Sequence, residues 1–320
     1  MFPNRPANTS SERDHGGGLD AAMARHGGTR AGWIDLSTGI NPVPYPLPDL
    51  SGSDWTALPD RNAHAALVTA ARRFWRVPDG AAILPAPGAS ALIARLPALL
   101  PPGRVGITPP TYNEHAAAFA ASGWAIKDGG QADARVLVHP NNPDGRLWTP
   151  KDADADLTII DESFCDVMPE ASLIQLAGQP GRLVLKSFGK FWGLAGLRLG
   201  FAIARQDTIG RLADMLGPWP VSGPALRIGA AALSDTAWAD RTRTRLRDDA
   251  ARLDAMITAA GAAPAGGTDL FRLYRVDDAA RWQDRLAQRH IWSRRFPYSS
   301  TLLRLGLPGP NGWIRLRDAL

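Results

Sequence analysis

Lysine is scarce in this chain. Lys127, Lys151, Lys186 and Lys190 are the only ones among 36 Lys and Arg residues, so chemistry that needs a lysine amine has few candidates. Lys190 follows the apolar run Leu183-Val184-Leu185 and lies within Ser187-Phe-Gly-Lys-Phe-Trp-Gly-Leu-Ala-Gly-Leu-Arg-Leu-Gly200. A lysine attacks a carbonyl only when burial or nearby cations lower its pKa. The segment therefore suits a cofactor carrying an aldehyde and a phosphate: Lys190 forms the imine, and Ser187 and Arg198 hold the phosphate. The plainer alternative is a strand and glycine-rich turn with a merely solvated Lys190.

Other polar clusters follow apolar runs of strand length. Gly88-Ala89-Ser90 follows one such run and opens a helix, where backbone N–H groups suit a phosphate, although such turns also simply join strands to helices. Tyr112 is placed to stack on a flat ring, or is an ordinary half-buried aromatic. His139-Pro-Asn-Asn-Pro-Asp-Gly145 has the composition of a tight turn, yet Asn142 would also set an amide donor beside a phenolate-like oxygen. Asp161 ends Leu157-Thr-Ile-Ile160. A carboxylate there is costly to bury unpaired, and a protonated pyridine nitrogen would be its partner and a better electron sink for the pairing.

The elements that must position these residues are short apolar strands near 81–84, 105–107, 136–138, 157–160, 183–185 and 201–204. Helical stretches lie near 63–76, 89–100, 113–121 and 172–177. Alternation of this kind predicts an α/β fold with a mostly parallel sheet covered by helices on both faces. Ligands of such sheets collect at the carboxyl ends of the strands. After Arg205 helical patterns dominate to Ala260. A strand at 271–276, a helix at 279–289, a strand at 302–305 and a last helix then suggest a small α/β layer. The expected organisation is an N-terminal arm (1–50), a large domain (51–210) and a small C-terminal domain (211–320).

At 320 residues the chain is long enough for a generous core. No apolar run approaches the roughly 20 residues of a membrane span. Met1 to Asp14 is polar, without the apolar stretch of a signal peptide, and a cytoplasmic address is the expectation. The formal net charge of +5 is spread along the chain. Its densest cluster, Arg241 to Arg247, runs into Asp248 and Asp249 and reads as a solvated helix face rather than a nucleic-acid site. One cysteine, Cys165, excludes an internal disulfide and a Cys-rich metal site; it reads as a packed residue, and no metal is expected.

With these residues in view, the chain resembles the fold-type I enzymes that use pyridoxal 5′-phosphate, within the class I/II aminotransferase superfamily. Ser187–Gly200 fits that superfamily's lysine signature. The Asn-Pro-x-Gly turn, the Asp-Glu-x-Phe strand end and the Gly-Ala-Ser loop match in order and spacing. The resemblance implies Lys190 as cofactor-bound lysine and proton shuttle, and Asp161 on the pyridine nitrogen. It implies Asn142 on the ring 3′-oxygen and Tyr112 stacked on the ring, with Gly88, Ala89, Ser90, Ser187 and Arg198 around the phosphate. It also implies a homodimer.

A narrower resemblance is to the threonine-phosphate decarboxylases of cobalamin biosynthesis. Asp14-His-Gly-Gly-Gly-Leu19, Asp35-Leu-Ser-Thr-Gly-Ile-Asn-Pro42 and Leu302-Leu-Arg-Leu-Gly-Leu-Pro308 carry it. It implies a phosphorylated amino acid as substrate, Arg304 on its carboxylate, and His15 and Asn41 near its phosphate; a surface turn is the alternative for 35–42. Relatives usually carry Tyr-Pro-Asp where this chain has Leu58-Pro-Asp60, so a hydroxyl on the cofactor phosphate is missing. Phe164 stands where many aminotransferases have a tyrosine. The implied reaction is decarboxylation of L-threonine O-3-phosphate. The alternatives are a histidinol-phosphate-type aminotransferase and, in another class, an inactive binding partner in the cobalamin pathway. Retention of Lys190, Asp161, Asn142 and Arg198 argues against the latter.

Overall fold

The apolar runs singled out above become neighbouring strands of one sheet in a computed structural model that describes residues 15–320. Asp14, the first residue of the N-terminal motif, lies outside the described residues. Before the sheet come α1 (Leu19–His26), β1 (Ile34–Asp35), α2 (Gly52–Thr56) and α3 (Arg61–Trp75). The sheet itself contains β2 (Ala82–Ala86), β3 (Arg104–Ile107), β4 (Ala125–Lys127), β5 (Ala134–Val138), β6 (Leu157–Asp161), β7 (Arg182–Ser187) and β8 (Gly200–Ala204). Two helices interrupt it, α4 (Ala89–Ile93) after β2 and α5 (Asn113–Ala121) after β3.

The strand order is β2-β8-β7-β6-β5-β3-β4. Only β8 runs against its neighbours; the other pairings are parallel. Strands buried on both faces need continuous apolar sequence, and β6 is buried along its whole length. One face packs into a core with Leu92, Phe119 and Leu212, the other into a core with Leu67, Phe201 and Leu253. The mostly parallel, two-faced sheet expected from the sequence is therefore present.

Beyond it follow α6 (Gln206–Leu216), α7 (Gly223–Ser234) and the long α8 (Thr236–Ala259). A second layer holds β9 (Ala263–Thr268), β10 (Phe271–Arg275), α9 (Ala279–Ala287), β11 (Ile291–Trp292), β12 (Arg294–Phe296), β13 (Ser299–Gly306) and α10 (Trp313–Ala319). Its sheet has the order β12-β13-β10-β9, and β11 pairs with β1 of the N-terminal segment.

Three local expectations are corrected, and β9 is a strand that no expectation covered. The helix expected over 89–100 stops at Ile93, and a 3-10 turn follows at Leu96–Leu99, where Pro97 has no N–H to continue a helix. The stretch at 172–177 is a 3-10 turn, Ile174–Gly178, because the Leu173 N–H is drawn to Glu162 at 2.6 Å and Ser172 Oγ to the same carboxylate at 2.7 Å. Strand β9 has no strand-like pattern; Gly266 and Gly267 sit at φ +137° and +124°. A Cβ on Gly266 would lie 2.2 Å from the Asp144 carbonyl oxygen, so glycine is what lets this strand touch the turn after β5. Finally, the Arg241–Arg247 cluster is not simply solvated. Arg243 donates to the Asp166 carbonyl at 2.8 Å and lies over the Phe191 ring, and Arg245 donates to Asn41 Oδ1 at 2.7 Å.

Candidate active site

Strands β2, β3, β5, β6 and β7 all run in one direction, so their carboxyl ends gather at one sheet edge. Nine of the twelve predicted site residues meet there. Gly88, Ala89, Ser90, Tyr112, Asn142, Asp161, Ser187, Lys190 and Arg198 all line one inner cavity of about 120 Å³. It joins an outer cavity of about 1190 Å³ that is also walled by Lys190, Tyr112 and Asn142 and that reaches His15 and Arg304.

Asp161 forms the floor. Burial alone would push its carboxyl up. Hydrogen bonds from His115 Nε2 to Oδ2 (2.8 Å), and from the Ser163 hydroxyl and N–H to Oδ1 (2.6 and 3.0 Å), outweigh it and hold the group below the ordinary range. An ionised carboxylate so placed is a fixed negative charge for a cationic ring nitrogen. Lys190 is the opposite case. Burial first, then the Arg304 and Arg198 charges, lower it from 10.5 to about 8 against the opposing pull of Asp161. Its Nζ lies 5.2 Å from the Phe164 ring centroid.

At the other end, Arg198 sits in the left-handed region at φ 51°, with its guanidinium against Gly88. A Cβ on Gly88 would come within 2.7 Å of Arg198 Nη2, and one on Gly200 within 2.5 Å of the Ala89 nitrogen. The two glycines thus clear a cradle between a cation, the Ser90 and Ser187 hydroxyls and the first N–H groups of α4, which have no partner within the helix. Because α4 is one turn long, individual donors rather than a helix dipole would carry the binding. Anion site at one end, carboxylate at the other and a depressed lysine between them fit the cofactor implied by the sequence.

Arg304 reaches across from β13 and is buried. It donates to Asn142 Oδ1 and, at 2.6 Å, to the Ser37 carbonyl, so its guanidinium is aimed by both layers. Asn41 is the predicted residue that the structure does not bring to either cavity. Its amide donates to the Phe191 carbonyl at 2.8 Å, its Oδ1 accepts from Arg245 and its N–H donates to the Lys190 carbonyl at 3.0 Å. Asn41 thereby pins the Lys190 turn. Cys165 is packed, its thiol pushed well up by burial and then by Glu162. His139, Glu162 and Cys165 approach one another within 4.8 Å, but both His139 nitrogens and the Glu162 carboxylate are engaged by protein partners.

Two side chains of the candidate site were not read from the sequence. His115 lies in the first turn of α5, three residues after Tyr112, which caps that helix, and that spacing was the available signal. With Asp161 ionised, the His115 Nε2 proton makes their bond. Replacing His115 by leucine is expected to lower kcat/KM by about 10-fold or more, the size of one hydrogen bond to a charged group; unchanged kinetics would remove His115 from the site. Arg294 left no signal, because its strand was not predicted. It is the direct cross-strand partner of Arg304 and lines the outer cavity.

Comparison with known proteins agrees with this geometry. The model of the family "Aminotransferase class I and II" matches residues 125–316, and the chain belongs to that family. Threonine-phosphate decarboxylases of Sinorhizobium sp and Pseudomonas aeruginosa are 42% and 38% identical to it, each alignment covering 96% of this chain and 97% of the relative. Among solved structures, histidinol-phosphate aminotransferase from Sinorhizobium meliloti in complex with pyridoxal-5'-phosphate superposes with a TM-score of 0.80 at 19% identity, over 100% of this chain and 97% of that one. L-threonine-O-3-phosphate decarboxylase from Porphyromonas gingivalis gives 0.70 at 19% identity, over 89% and 97%. These two likenesses speak for the fold alone.

Proposed function

We propose that this protein is a pyridoxal 5′-phosphate-dependent lyase that converts L-threonine O-3-phosphate to CO₂ and (R)-1-amino-2-propanol O-2-phosphate, in cobalamin biosynthesis. The observation that carries this reading is the Arg294–Arg304 pair on the wall of the cavity that holds Lys190. Two guanidiniums there suit the two anionic groups of one small substrate. Near full-length identity to two threonine-phosphate decarboxylases supports the choice.

When bound, the cofactor supplies an electron sink at its ring. Asp161 would keep the proton on the ring nitrogen, Asn142 would donate to the ring oxygen, Tyr112 would cover one ring face, and Ser90, Ser187 and Arg198 would hold the phosphate. Leu58 offers no hydroxyl to that phosphate and is exposed. Arg304 takes the substrate carboxylate as a planar fork, with Arg294 and His15 toward the substrate phosphate. The bond from Cα to the carboxylate carbon breaks, its electron pair stays at Cα, and CO₂ leaves uncharged. Lys190 delivers a proton to Cα in its place. An amine whose pKa burial and nearby cations lower to about 8 both gives and takes protons close to neutrality.

In this reading the protein works as a cytoplasmic homodimer. Exposed Leu58 and Trp219, beside a groove lined by Pro59 and Trp219, give apolar area for a second copy; among the described residues no helix is long and apolar enough to cross a membrane.

The test is turnover of L-threonine O-3-phosphate by cofactor-loaded protein without a keto acid. Stoichiometric CO₂ and aminopropanol phosphate are expected. No CO₂, with glutamate formed from 2-oxoglutarate and histidinol phosphate, would replace the reading by transamination. Arg304→Gln is expected to cost about 10²-fold or more in kcat/KM, since truncating a buried hydrogen-bonded charge typically costs 2–5 kcal/mol (about).

A further inference from the structure

The segment His15-Gly16-Gly17 runs along the outer cavity, which His15 and Gly16 line. One end is fastened to the C-terminal layer and to the residues beside Arg304. The Gly17 N–H donates to Ser37 Oγ at 2.7 Å, and the Trp292 indole N–H donates to the Gly17 carbonyl at 2.9 Å. Gly16 lies against the Ser37 carbonyl, where a Cβ would be 2.5 Å from the oxygen and 3.4 Å from Arg304 Nη2. The other end meets the seven-stranded layer at the start of α5: His15 Nε2 is 3.0 Å from Glu114 Oε1, and the imidazole lies 6.3 Å from the Tyr112 ring, centroid to centroid.

Glu114 is out of character with its surroundings. Of the charged side chains on the cavity wall, Lys190, Arg294 and Arg304 suit an anionic ligand, and only Glu114 and Asp128 oppose it. A carboxylate beside a phosphate site repels the ligand unless it acts through another group. Glu114 has such a group in reach. By pairing with the imidazolium at Nε2 it leaves the Nδ1–H as a charged donor for a phosphate oxygen.

We infer that Glu114 is the positioning residue of the substrate-phosphate site: it holds His15 across the cleft with Nδ1 presented to the phosphate and so determines preference for phosphorylated substrates. The inference rests on the functional reading above, in which His15 faces that phosphate.

The experiment uses the holoenzyme and measures KM and kcat for L-threonine O-3-phosphate, with competitive inhibition by inorganic phosphate and, as a probe of Arg304, by propionate. Glu114→Gln is expected to raise KM and the phosphate inhibition constant together, by roughly 3- to 10-fold, about the upper end for a partly exposed ion pair. The effect on kcat should be smaller than that on KM, and propionate inhibition should not weaken. His15→Asn is expected to match it, and the double variant to add nothing further, as coupled partners do. Glu114→Asp should recover part of the loss, which damage to α5 would not allow.

If Glu114→Gln tightened phosphate binding, the carboxylate would be a competitor of the ligand and the inference would be wrong. If His15→Asn weakened phosphate but Glu114→Gln did not, Glu114 alone would be excluded. If neither variant changed phosphate inhibition, the placement of His15 at the substrate phosphate would fall first, and the inference with it.

Discussion

Lys190→Ala is expected to abolish decarboxylation, with a loss of at least about 10²- to 10⁴-fold, the range that one positioned proton-transfer group contributes. The visible absorbance given by a cofactor joined to the protein through Lys190 should vanish with it. The pH dependence follows from the same environment. In the ligand-free protein the Lys190 amine is lowered from 10.5 to about 8 by burial and by Arg304 and Arg198. The neutral amine is the nucleophile, so the rate of cofactor capture should rise with pH and level off above about 8. Arg304→Gln removes a cation and should move that plateau upward. The stability sign runs the same way. Between about 8 and 10.5 the unfolded chain still binds the Lys190 proton while the folded chain has released it, so ligand-free protein gains stability as pH rises through that window. A capture rate flat across pH 7 to 9 would contradict the assignment of this lysine.

The second large effect is expected on stability. Lys186 is buried, with its Nζ 2.6 Å from Glu162 Oε2 and 3.4 Å from Asp166 Oδ1. Burial would push its pKa down, but the two carboxylates outweigh it and hold the amine above its ordinary range. Trp75 and Trp192 also donate to Asp166, at 2.9 and 3.2 Å. Lys186→Met leaves two carboxylates in the core without their cation. Breaking a buried pair in this way costs about 3–5 kcal/mol, and a fall in Tm of roughly 10 °C is expected. Converting Glu162 to Gln and Asp166 to Asn in the same chain should return part of the loss, because neutral amides need no counter-ion. Thermal melts of the three proteins decide it; an unshifted Tm in Lys186→Met would show that the cluster adds nothing. Strand alternation places this cluster behind the site. Glu162 follows Asp161 and Lys186 precedes Ser187, so the same two strand ends carry the site on one face and the cluster on the other.

The candidate pocket was legible because its residues come in short clusters, each following a strand. Ser187, Lys190 and Arg198 lie within twelve positions of sequence, and a parallel sheet brings neighbouring strand ends to one edge whatever lies between them. The strands were legible for the same local reason: a strand buried on both faces must be continuously apolar. That Asn41 lies outside both cavities was not legible, because an Asn-Pro turn looks the same whether its amide faces a ligand or the Phe191 carbonyl. Arg294 was missed because β12 is three residues long and carries two arginines, with no periodicity to show.

What the sequence determined by itself was therefore the local chemistry: a lysine after an apolar strand, a carboxylate at the end of another, and glycines where a cation and a backbone nitrogen must come close. Only the tertiary structure decided how strongly that chemistry is tuned and what else enters it. Lys190 is lowered by burial and then by Arg304, more than a hundred residues away; Asp161, on a strand, is held ionised by His115 from a helix; and Arg294 and Arg304 become partners through an antiparallel register. Desolvation and charge–charge interaction depend on distance through space and on what has been removed from water, and neither quantity exists until the chain has folded.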